Sequence, residues 1–163
     1  MASPLAQTHD GVGVVCRGNL AIILYGADAR LHRTRWVFDR VDELAERNPG
    51  GFFALIVIAA NAAPPDSATR AENSARLRKL DLALKAMVTV ALGDEFRVSI
   101  VRTVMRAMTL LSRHSGRHVI CNTERQGIER LLAEAKQDPR LPPRAQIEED
   151  LAALHEIIKP HAA

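Results

Sequence analysis

Residues 52–60, FFALIVIAA, constrain the fold more than any other stretch of this 163-residue chain. The run is continuously apolar and β-branched at its centre. It is bracketed by Asn48-Pro49-Gly50-Gly51 on one side and by Asn61 to Pro65 on the other. It is far shorter than the roughly 20 residues a membrane-spanning helix needs. An unbroken apolar run of this length suits a strand buried on both faces, central in a sheet that carries helices.

The flanking sequence supplies the rest of such a sheet. GVGVVC (11–16) and NLAIILY (19–25) are β-rich and separated by Arg17-Gly18, where glycine permits a tight turn, so they predict a hairpin. Trp36, Val37, Val41 and Leu44 recur at helical spacing, and the Asn-Pro-Gly-Gly sequence ends that helix. After 61–65, Asp66, Ser67 and Thr69 are candidate caps of a helix with Leu77, Leu80, Leu84 and Met87 on one stripe. A short strand is expected over 88–92, a helix over 96–113, a strand over 118–122, and a helix carrying Ile128, Leu131, Leu132 and Ala135. The breaker-rich DPRLPP (138–143) leads to a tail helix with Ile147, Leu151, Leu154, Ile157 and Ile158, which needs an apolar surface from its own chain or another subunit. The expected order is β-β-α-β-α-β-α-β-α plus a tail helix: an α/β fold with a mostly parallel sheet covered by helices. The length fits one domain, with a core over 10–136 and a helical extension over 144–159.

Composition narrows the classes of function. Apolar residues make up 47% and charged residues 25%, which is globular rather than disordered usage. The net charge of +3 has no dense basic run or interleaved aromatics behind it, so nucleic acid is not the expected partner. Residues 1–10 lack the pattern of a signal peptide, and no stretch reaches membrane-span length, so a cytoplasmic protein is expected. Cys16 and Cys121 stand apart in apolar runs and read as reduced, buried thiols. The six histidines show no metal-ligand spacing, so neither metal nor cofactor is expected. Gly11-Val12-Gly13 opens a strand and lacks the third glycine of a dinucleotide fingerprint; a P-loop and a nucleophile elbow are also absent.

The element order, the strand GNLAIILYG, the apolar run before Pro64-Pro65 and the segment RHVICNTERQGIERLL together resemble the STAS domain of bacterial anti-sigma-factor antagonists, the SpoIIAA-like proteins. Lipid-binding carriers are more distant relatives of that fold. The resemblance covers residues 10–136. It implies regulatory protein binding without chemistry, at the surface around the loop after the central strand, where the antagonists bear a phosphorylated Asp-Ser-Ser/Thr-Gly-like motif. The nearest text here is Asp66-Ser67-Ala68-Thr69, which puts Ala68 at the phosphoacceptor position and Thr69 in place of the glycine.

Three groups of residues remain candidates for a site. Asp66, Ser67 and Thr69 are helix caps or a modification and partner loop, since a phosphate is favoured at a helix N-terminus. Arg102, Arg106 and Arg113 fall near one side of the third helix, as a solvated face or a contact for an anion or acidic partner. Met105 and Met108 are core, or else line a pocket or dimer face. Arg30, His32, Arg33 and Arg35 form a second basic group, at a helix start where the dipole does not favour it, and pairing with acidic side chains or a partner is expected. The leading expectation is a non-enzymatic, self-associating STAS-like regulatory or scaffolding module with a protein partner. The alternative is a small-molecule or lipid carrier with an apolar pocket between the sheet and the third helix.

Overall fold

The structure, a computed structural model, describes residues 5–109 and 117–158. Six strands form one mixed sheet in sequential order: β1 (Ala6–His9), β2 (Val12–Arg17), β3 (Leu20–Tyr25), β4 (Phe52–Ile58), β5 (Leu84–Ala91) and β6 (His118–Cys121). The β1–β2 and β2–β3 pairs are antiparallel, and β3–β4, β4–β5 and β5–β6 are parallel. The apolar run is therefore an interior strand between two parallel neighbours, as its lack of alternation requires.

β1 was not expected from the sequence. It pairs with β2 through a two-residue turn in which Asp10 and Gly11 both have positive φ, 48° and 81°. Asp-Gly is a preferred pair for such a turn, because its backbone twist matches that of the flanking strands. The second hairpin turns at Gly18-Asn19, with φ of 57° at Gly18.

Helices α1 (Leu31–Arg47), α2 (Ser67–Lys79) and α3 (Glu95–Thr109) are the crossovers β3 to β4, β4 to β5 and β5 to β6. Crossovers of one hand that all advance in the same direction place their helices on one face of the sheet. Accordingly, Val37, Phe38, Val41 and Leu44 of α1 pack with Ala21, Ile23 and Phe52, while Val98, Val101 and Met105 of α3 pack with Ala54, Met87 and Ala91. α2 ends at Lys79, so Leu84 and Met87 belong to β5 rather than to the expected helical stripe.

The other face is covered by α4 (Glu124–Ala135) and α5 (Arg144–Ile157). Ile128 and Leu131 of α4, with Ile147, Leu151 and Leu154 of α5, share one core with Leu20, Ile22, Leu55 and Val88. The tail helix thus spends its apolar side on its own chain. A Cβ on Gly13 would lie within 2.5 Å of Ile158 and 2.7 Å of Leu154, so the bare strand backbone there is what lets the end of α5 seat. Arg17 of β2 fastens the helix further, donating to both carboxylate oxygens of the fully buried Asp150 at 2.6 and 2.9 Å.

Candidate functional site

The α1–α3 face contains an apolar cavity. Its floor is Ile23 and Tyr25 of β3, Ala54, Ile56 and Ile58 of β4, and Met87 of β5. Phe38 of α1, Leu77 of α2, and Val101 and Met105 of α3 form its walls, and Ala62 to Pro65 border it from the β4–α2 loop. Of the two expected methionines, Met105 lines the cavity, whereas the Met108 side chain lies outside the described residues. The cavity holds about 90 Å³. Burial pushes the Tyr25 phenol up to about 12, so this wall is neutral at physiological pH.

The void exists because α2 is a poor core helix. Of its thirteen residues, SATRAENSARLRK, only Thr69 is buried. Polar contacts do the holding that apolar packing does elsewhere. The Arg76 guanidinium donates to Asp39 at 2.8 Å and Asp42 at 2.9 Å on α1, and lies 5.5 Å from the centre of the Phe38 ring. Arg35 and Glu72 add an ion pair at 3.5 Å. The loop leading into α2 is tied down by the Asp28 carboxylate, which accepts from the Ala63 amide at 2.7 Å, and by Arg97, which donates to the Ala62 carbonyl.

At the start of α2, Asp66 is the N-cap, accepting from the Thr69 amide at 2.8 Å, and the same bond holds its carboxyl below the usual range. Ser67 is exposed, whereas Thr69 is fully buried. Of the two hydroxyls, only that of Ser67 is open to solvent.

The arginines of α3 sit elsewhere. Arg102 donates to the Asn122 side chain at 3.4 Å and borders an open groove beside β6 that Gln126 and Arg130 also line. Arg106 is exposed, and Arg113 lies outside the described residues. The other basic group pairs with acidic residues: His32 and Arg33 both meet the Asp10 carboxylate, at 2.8 and 3.0 Å, and Arg35 meets Glu72. Arg30 is the N-cap of α1 and makes no side-chain cap bond.

Sequence reasoning missed two features. His9 stacks on Trp36 with centroids 5.5 Å apart, and Arg40 lies 5.7 Å from the same indole, a cluster that needs β1 to exist. His118 is half-buried beside Met87 in the sheet, hydrogen-bonded to Thr89 at 3.0 Å, and desolvation lowers its pKa to about 4. Cys16 and Cys121 are free thiols pushed up by burial, Cys16 to about 11. Among the described residues no cluster of three metal-ligating side chains occurs, and no helix is long and apolar enough to cross a membrane. Comparison with protein-family models, curated proteins and solved structures finds no match.

Proposed function

We propose that this chain is a non-enzymatic binding domain, similar to STAS and SpoIIAA-like domains, that regulates or scaffolds a protein partner and self-associates. The observation that carries this reading is the succession of elements: the β2–β3 hairpin, three αβ units advancing one way through the sheet, and α4 folding back over the other face. Fold likeness alone does not fix a function. The character of the site adds support. Its concave surface is apolar, and the charged side chains around it are engaged in ion pairs rather than converging on a reacting atom.

In this reading the loop into α2 bears specificity, since binding residues concentrate on loops held by a rigid scaffold. Exposed Ser67 is the residue there open to modification. Self-association would use α3 or the adjoining β6 edge, which pairs with no further strand among the described residues and so offers a template for pairing. α5 is a poor candidate, its apolar side being consumed in the core. Native mass spectrometry of the purified chain tests the reading. A homodimer or larger assembly without added mass is expected, and a strict monomer for which no binding partner is found would overturn it.

The cavity favours a second reading, a carrier of small apolar molecules. Ordinary ligand pockets hold roughly 300–1,000 Å³, so a cavity of about 90 Å³ is no vessel for a two-chain lipid. A monomer that retains a small apolar adduct would favour this reading over the first.

A further inference from the structure

We infer that the cavity under α2 is a binding site for one small, uncharged, apolar molecule, of the bulk of a single aromatic ring, and that the ligand enters by displacement of α2. The inference rests on the cavity that underlies the carrier reading and does not depend on the STAS-like one.

Chemistry and size set the ligand class. No Asp, Glu, Lys, Arg or His lines the cavity, so a charged ligand would lose its hydration there without a partner. A dry apolar cavity of about 150 Å³ takes up benzene, and the one here holds about 90 Å³ before any wall moves. A ring-sized molecule therefore fits after a small outward shift of one wall, and a long acyl chain does not.

The wall that yields most easily is α2. α1 and α3 are anchored by buried apolar stripes, whereas α2 lines the cavity with Asn73 and the partly buried Leu77, ends on the buried Leu80, and is held to α1 by Arg76 on Asp39 and Asp42 and by Glu72 on Arg35. That clamp lies directly over Phe38, itself a cavity wall, so opening it uncovers the apolar space. Ion pairs between exposed carboxylates and an arginine are weak and salt-screened, which suits a gate better than a seal.

The test is a titration of the full chain with benzene, followed by amide proton–nitrogen correlation spectra, with sodium octanoate as a charged, longer comparison. Saturable shifts at Ala54, Ile56, Leu77 and Met105 are expected with benzene and not with octanoate. Ala54→Leu, which fills the floor, is expected to weaken benzene at least about ten-fold. Ala54→Val, a smaller and strand-compatible filler, keeps the test open if the leucine variant does not fold. Arg76→Ala is expected to speed ligand exchange several-fold with little change in affinity.

Absence of saturable shifts in the wild type, or undiminished binding in a folded Ala54 variant, would overturn the site. An unchanged exchange rate in Arg76→Ala would overturn the gate. If benzene binds there but the chain purified from cells retains no cargo, the carrier reading fails while the site stands. Retained cargo without benzene binding overturns the site and leaves the carrier reading standing.

Discussion

His118 forms a polar pair with Thr89 on neighbouring strands, and its burial lowers stability as the pH falls. Its folded pKa, about 4, lies below its ordinary value of about 6.5, so the unfolded chain binds the proton more readily. Above pH 6.5 the group adds no pH dependence. Between about 6.5 and 4 stability falls, by about 3 kcal/mol when the shift is fully expressed. Urea unfolding at pH 7.5 and 4.5 should show that fall in the wild type and a smaller one in His118→Gln; equal slopes would contradict it. The Arg17–Asp150 pair supports a second test. Arg17→Ala strands a fully buried carboxylate and should cost about 3 kcal/mol, whereas Arg17→Met combined with Asp150→Leu should cost much less. At this scale the sequence was partly legible. Asp66 could be read as a cap because capping is a local rule, but the burial of Thr69 depends on which side of α2 faces the sheet.

α2 shows where element-level reasoning stops. Leu77, Leu80, Leu84 and Met87 keep helical spacing, yet the chain leaves the helix at Leu80 and enters β5 at Leu84. In the strand, Met87 is buried and Leu84 partly buried in the cluster that includes α3, so tertiary packing explains their apolar character without a helix. β1 was overlooked for a related reason. Ala6–His9 has no apolar alternation, and its only signal is the Asp10-Gly11 turn that follows it. The interior strand was readable from its unbroken apolar run, and the α1, α3, α4 and α5 helices from their apolar periods. Since Arg76 ties α2 to two carboxylates of α1, Arg76→Ala should raise amide hydrogen exchange across residues 67–79 well above any rise in α1 or α4. The expected loss of overall stability is about 1 kcal/mol, the worth of a partly exposed ion-pair network. Uniform exchange along α1, α2 and α4 would contradict that assignment.

Across the whole molecule the two faces of the sheet differ in kind. The α4–α5 face is a filled core in which even Gly13 is spent on close packing, while the α1–α3 face keeps a void. A chain ending at residue 143 would expose the apolar surface under Ile147, Leu151, Leu154 and Ile158 and should lose its cooperative melt. A native-like melt of that truncation would show α5 to be an appendage. The parallel part of the sheet and its helices were legible in the sequence, whereas a pocket on α3 stood there only as the alternative to a plain core role for Met105 and Met108. The void itself was not legible, because it arises from how far a polar helix stands off the strands beneath it. The most direct measurement of the central claim, an unfilled apolar site on the α2 face, is a crystal structure under xenon pressure. A xenon atom in van der Waals contact with Ala54 and Met105 is expected; a closed core there, or ordered water in its place, would contradict it.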